Sequence, residues 1–305
     1  MKLAAGISRW CWRLTPALLI ANLVFFALAF RPATPRPSSE LANAVGKLTA
    51  EVSRLSQEQA MPSVVLSRHR NSICYIYALY SVSFPAWQGR HPIRTRVSGT
   101  GFVVANGVIA TNRHVVQPWF DDEEDAALIR SGGQPRVEEL MAFFPDQQKA
   151  LDLTDVRVAD GADIAIARFN APANVQGMRP LPLAESAPVP GDAVVVVGYP
   201  MGVTAMVAKS PRKVYQRLAY SHEIENVARD LAQHYLIRPS ATYGHLGDIV
   251  DEKMVYDAPT AQGGSGGPVF NSKGQVIGIN AAYIDGFTGG NLGISVEALK
   301  PLLGH

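Results

Sequence analysis

Cysteine is almost missing from this chain: two among 305 residues, Cys11 and Cys74. Cys11 precedes a long apolar run and Cys74 lies well beyond it, which argues against a disulfide between them. The fold must therefore stand on its buried core, although so few cysteines do not exclude an oxidising compartment. Net charge is nearly absent too. The 28 basic side chains are balanced by 26 acidic ones, for a formal charge of +2, and no basic stripe carries interleaved aromatics. No nucleic-acid partner is expected from such a balance. Metal signatures are also lacking. HExxH does not occur, and the histidines are scattered at 69, 91, 114, 222, 234, 245 and 305. The acidic run from Asp121 to Asp125 lacks the alternating ligands and closing glutamate of a calcium loop, so it reads as solvated. Neither a metal site nor a cofactor is expected. Hydrophobic content of 47% with 18% charged residues excludes wholesale disorder.

What is present begins with Leu14 to Phe30, 17 residues without a charge, preceded by Lys2, Arg9 and Arg13. Residues 1–13 read as a cytoplasmic N-terminus and residues 14–30 as a transmembrane anchor or a signal peptide. Ala27-Leu28-Ala29 fits a cleavage site, whereas Pro16 and Asn22 are tolerated in a spanning helix. The expectation is a single-pass protein of the cell membrane with its body exported, on the periplasmic side if bacterial. Secretion after cleavage is the alternative. Residues 31–62 follow as a Pro/Ser-rich spacer and an amphipathic helix that Pro62 should end. In that helix Leu41, Val45, Leu48, Val52 and Leu55 form a heptad seam of barely two repeats. Residues 41–55 are a candidate surface for homo-oligomerisation, or for lying on the body or the membrane.

From about Ser72 the chain reads as many short strands separated by Gly, Pro and Asn, with no alternation of strand and helix. That pattern predicts an all-β barrel or sandwich. Arg212 to Leu236 breaks it, with apolar residues near helical spacing, inside a segment 210–253 taken as an insertion.

The stretch Gln262-Gly-Gly-Ser-Gly-Gly-Pro268 carries the chemistry. A nucleophilic serine must reach a carbonyl carbon while backbone N–H groups meet the oxygen that becomes negative. Flanking glycines clear the way for a substrate backbone. Ser265 is the candidate nucleophile, with the N–H groups of Gly263 and Ser265 as the oxyanion hole. A serine hydroxyl needs a base, and of the histidines only His114 closes an apolar strand. The base needs an acceptor to hold one tautomer. Asp163, heading the apolar Asp163-Ile-Ala-Ile-Ala-Arg-Phe169, is favoured over Asp160.

The order His, Asp, Ser in the contexts TNRHVV, ADIAIARF and QGGSGGPV resembles the chymotrypsin clan, and within it the HtrA/Deg-type proteases. The resemblance covers about Ser72 to Leu303. It implies two six-stranded antiparallel β-barrels with a helical insertion, preceded by the N-terminal membrane helix, and a trypsin-like protease domain over 63–305. It further implies that Val276 to Ala282 is the strand that lines the primary specificity pocket and pairs with substrate. The implied substrate-binding residues are Thr260, Ala261, Gln262, Asn280, Ala281 and Ala282. Ala258 to Gln262 offers no carboxylate to a Lys or Arg side chain, so small or medium aliphatic residues are expected on the acyl side of the cleaved bond. The PDZ domain usual in that family is not found before His305. Gly264 stands where the family has Asn, so another device must order the oxyanion loop, and the 210–253 segment is a candidate regulatory arm. The expected activity is serine endopeptidase action on protein or peptide substrates, in envelope quality control or regulated proteolysis. The rivals are a catalytically silent binding or chaperone module and a membrane-anchored oligomeric scaffold.

Overall fold

The computed structural model describes residues 39–84, 92–120, 123–170, 177–221, 223–283 and 290–304. The apolar segment 14–30 lies outside them. Among the described residues no helix is long and apolar enough to cross a membrane.

The first helix, α1 (Ser39–His69), runs straight through Pro62 rather than ending there. A proline inside a helix forfeits one backbone hydrogen bond and costs about 3 kcal/mol. On either side of it Met61, Val65 and His69 are buried, His69 stacking on Phe270 with ring centroids 5.3 Å apart. Burial of those side chains offsets the lost bond. The chain divides into two compact units, Met1–Arg54 and Leu55–His305. The seam residues Leu41, Val45, Leu48, Val52 and Leu55 are all exposed.

Twelve strands make two closed antiparallel barrels among the described residues. The first closes in the order β1 (Ile73–Ser83), β2 (Ile93–Ala105), β3 (Val108–Thr111), β6 (Ala165–Phe169), β5 (Leu151–Val158), β4 (Gln134–Phe143). The second closes in the order β10 (Pro268–Phe270), β11 (Val276–Tyr283), β12 (Asn291–Ser295), β9 (Lys253–Tyr256), β8 (Ser240–Val250), β7 (Ala193–Gly198). Closure leaves no strand edge to template aggregation. Long β-branched and aromatic runs fill the interiors: Ile73 to Ala78 and Val194 to Val197 are buried throughout. Cys74 is a free thiol inside the first barrel, and burial pushes its pKa up, so it is inert.

Short helices punctuate the barrels: α2 (Arg113–Val116) after β3 and α3 (Glu123–Arg130) before β4. In α3, Asp125 is buried and accepts a hydrogen bond from the Tyr80 hydroxyl. Between β7 and β8 come α4 (Gly202–Ala208), α5 (Arg212–Leu218) and α6 (Ile224–Gln233), and α7 (Lys300–Leu303) ends the described chain. The segment 210–253 is thus not all insertion, because β8 within it pairs with β7 and β9 as a barrel stave. Its glycines and polar outward side chains hide the strand pattern, which the barrel pairing then imposes. The added arm is α4–α6. Its apolar face packs inward: Val214, Leu218, Val227 and Leu231 share one core with Tyr77, Met141 and Tyr199 of the barrels.

Candidate active site

His114 sits on α2, one turn past the end of β3. Val115 and Val116 behind it are buried in the first barrel and fix the turn. Asn112, fully buried, donates from Nδ2 to the Asp163 carbonyl at 2.7 Å and brings the two segments together. Asp163 then meets His114 twice. Oδ1 accepts from the His114 backbone N–H at 2.9 Å, and Oδ2 lies 2.7 Å from ring Nδ1. A carboxylate can only accept, so the ring proton sits on Nδ1 and the Nε2 lone pair stays available. Asp160 is exposed and makes no bond to the ring among the described residues. Of the two aspartates, Asp163 is the one bonded to the His114 ring.

Ser265 lies in the turn between Gln262 and Pro268, where the barrels meet. Its carbonyl accepts from Thr100 N at 2.7 Å, Gly266 N donates to Asn280 O at 2.7 Å, and Asn280 N donates to Gly267 O at 2.8 Å. The Ser265 hydroxyl donates to Ala281 O at 3.0 Å and makes no bond to His114 among the described residues. Engaging His114 requires a rotation of that side chain, a common difference between free and substrate-bound sites.

The loop carrying Gly263 and Ser265 has a glycine, Gly264, between them and so no side chain there to hold it. Thr100 holds it. Its hydroxyl accepts from Tyr199 N at 3.0 Å and donates to Gly263 O at 2.8 Å, while Met201 N donates to Gln262 O at 2.6 Å. Gly263 has φ +90°, and a Cβ there would stand 2.7 Å from Tyr199 O, so only glycine fits. A Cβ at Gly264 would lie 2.5 Å from Thr260 Oγ1. Thr260 occupies that space, accepting from Asn280 Nδ2 at 3.2 Å, and Asn280 Oδ1 in turn accepts from the buried Tyr256 hydroxyl at 2.6 Å. The N–H groups of Gly263 and Ser265 donate to no group among the described residues.

His114, Gly263 and Ser265 share a cavity of about 350 Å³ with Tyr75, Tyr77, Arg96 and Ser98 of the first barrel and Met201 to Thr204 and Ile224 of the arm. A second cavity of about 460 Å³ is lined by Met201, Thr204, Thr260, Ala261 and Gln262, with no charged side chain. Asn280 is buried and structural in its bonding, Ala281 offers its carbonyl to Ser265, and Ala282 pairs with Leu292 in β11. Sequence reasoning passed over Thr100, Asn112, Tyr256 and Ile224. The first two stand beside recognised motifs, in Ser98-Gly-Thr-Gly and Thr-Asn-Arg-His, but their roles are bonds to residues 49 or more positions away. Among the described residues no cluster of His, Cys, Asp and Glu could hold a metal ion.

Two closed six-stranded barrels meeting at a His–Asp pair and a glycine-flanked serine define the architecture of a chymotrypsin-like serine peptidase. Residues 99–279 match the family described as "Trypsin-like peptidase domain", more than half of the chain, and the chain belongs to that family. A DegP-like periplasmic serine endoprotease of Rhizobium meliloti is 29% identical over 212 residues, covering 69% of this chain and 32% of that protein. The serine protease HhoA of Synechocystis is 25% identical over 273 residues, covering 87% of this chain and 56% of that one. The chain therefore spans about a third to a half of the length of these relatives. Among solved structures, the active form of a Mycobacterium tuberculosis protease superposes with a TM-score of 0.51 at 19% identity, covering 80% of this chain and 85% of that one.

Proposed function

We propose that this protein is a serine endopeptidase in which Ser265 is the nucleophile, His114 the general base and acid, and Asp163 the group that fixes the imidazole. The observation that carries the reading is the pair of bonds from Asp163 to His114, 2.9 and 2.7 Å, beside a cavity that also holds Ser265. In the reaction, the Ser265 hydroxyl leaves Ala281 O and turns to His114 Nε2, which takes its proton as Oγ attacks the scissile carbonyl carbon. The carbonyl oxygen, now negative, accepts from the Gly263 and Ser265 N–H groups, which have no competing acceptor among the described residues. His114 gives its proton to the leaving amine, the C–N bond breaks, and an acyl-enzyme remains on Ser265. Water attacks the ester, losing a proton to Nε2, and the acid product departs as Ser265 recovers its hydrogen. Asp163 accepts from Nδ1 throughout and stabilises the transient imidazolium.

The uncharged cavity at Thr260 to Gln262, with Asn280 bonded to Thr260 behind it, supports small or medium aliphatic side chains on the acyl side. The basic residues ahead of the apolar segment 14–30 support anchoring in, or export across, a membrane. The Rhizobium relative, a DegP-like periplasmic endoprotease, supports an exported location in the cell envelope. The exposed seam over residues 41–55 supports self-association. Labelling with an organophosphonate tests the central claim: wild type takes up one label and Ser265→Ala takes up none. Loss of the serine also lowers peptide turnover by about 10⁶. A Ser265→Ala protein that cleaves near the wild-type rate overturns the assignment.

A further inference from the structure

The cleft does not stop at the reacting serine. The cavity holding His114, Gly263 and Ser265 receives nothing from Thr260, Asn280 or Ala281. Its walls come from His114, from α4 and Ile224, and from β1 and β2, with no residue of β11, the strand that the family resemblance assigns to pairing with the acyl half of a substrate. At α4 it adjoins a groove of about 270 Å³, and Val203, Thr204 and Ile224 line both spaces. The groove is built wholly by the helical arm, from residues such as Val207, Leu218 and Val227. Its only side-chain polar groups are hydroxyls, and no charged side chain among the described residues lines it.

We propose that the arm forms a subsite for the leaving half of the substrate, taking a large apolar side chain such as Leu or Phe. That side chain belongs to one of the first residues following the cleaved bond, in an extended chain that rises roughly 3.3 Å per residue. The inference rests on the endopeptidase reading, because the three residues shared with the Ser265 cavity are what point to substrate as the occupant. Apolar walls favour an apolar side chain, and a carboxylate there would lose its hydration without gaining a partner. The arm thereby acquires a role in choosing substrates as well as closing the barrel core.

Internally quenched peptides test it. All share one acyl half and carry Leu, Phe or Asp at each position after the cleaved bond in turn. At one position kcat/KM for Leu or Phe should exceed that for Asp by about tenfold or more, the discrimination an apolar pocket supplies. Ile224→Asp should reduce the ratio to below about threefold. Thr204→Trp, at an exposed site on the rim, should do the same by filling the groove and guards against a folding effect at Ile224. Equal kcat/KM for every leaving half, or a preference that survives both variants, overturns the subsite while Ser265-dependent cleavage leaves the endopeptidase reading intact. If no peptide is cleaved and no phosphonate label is taken up, that reading fails. The same peptides are also titrated on Ser265→Ala by fluorescence anisotropy, where a Leu-over-Asp ratio in Kd below about threefold overturns the subsite independently of turnover.

Discussion

At the scale of single residues, the site depends on one carboxylate making two bonds to one histidine. Asp163→Asn keeps the shape, but its amide can offer Nδ1 a donor, which favours the tautomer protonated at Nε2. Turnover should then fall by about 10⁴, whereas Asp160→Asn should leave it unchanged. Steady-state kinetics on a small peptide compare the two. A large loss at Asp160 would move the role. Thr100 is the second sensitive residue, since its hydroxyl both donates to Gly263 O and accepts from Tyr199 N. Thr100→Val keeps the volume and orphans both backbone groups, at about 1–3 kcal/mol. Turnover should fall about tenfold or more, with the melting temperature lowered, and Thr100→Ser should restore both. A Thr100→Val protein with native kinetics would show that the loop is ordered without the Thr100 hydroxyl.

At the scale of elements, the arm is joined to the first barrel through charge as well as packing. Glu139 on β4 has its carboxyl pKa raised, first by burial and then by Glu225 of α6, with Glu138 adding to it and Arg229 opposing it. Arg229 is itself paired to Glu225 at 2.7 Å, and Tyr77 with Arg96 stands nearby. A raised carboxylate pKa has a definite sign. Below the ordinary glutamate value of about 4.3 both folded and unfolded states are protonated, and Glu139 costs nothing. As pH rises through the higher folded value, the ionised form is disfavoured where α6 meets β4, and stability is lost. Glu139→Gln should therefore raise the melting temperature at neutral pH and have little effect near pH 4. Thermal melts of both proteins at the two pH values check this. A larger gain at acid pH would contradict the sign.

At the scale of the whole molecule, each barrel supplies part of the machinery. The first holds His114 and Asp163, the second carries Ser265, and Thr100 N to Ser265 O is a direct bond between them. The unit Met1–Arg54 bears most of the exposed apolar seam. Leu48→Glu with Val52→Glu should lower the solution mass measured by sedimentation equilibrium while leaving turnover of a small peptide unchanged. An unaltered mass would remove residues 41–55 as the oligomer surface.

The residue types and their order alone carried the serine loop, the histidine at the end of an apolar strand and the β-rich body, because these are local patterns of chemistry and periodicity. They also brought the charge-free segment 14–30 into view, though it lies outside the described residues. Other features needed the fold. Strand β8 was hidden by its glycines and polar face, and became a barrel stave only through pairing with β7 and β9. Pro62 reads locally as a stop, yet α1 passes through it because Met61, Val65 and His69 find a core to enter. Thr100 and Asn112 act on residues 163, 99 and 51 positions away, distances at which no sequence periodicity operates. Hydrogen bonds of that reach exist only after two barrels have closed and met, so the support of the oxyanion loop and the groove beside it were decided by the tertiary structure.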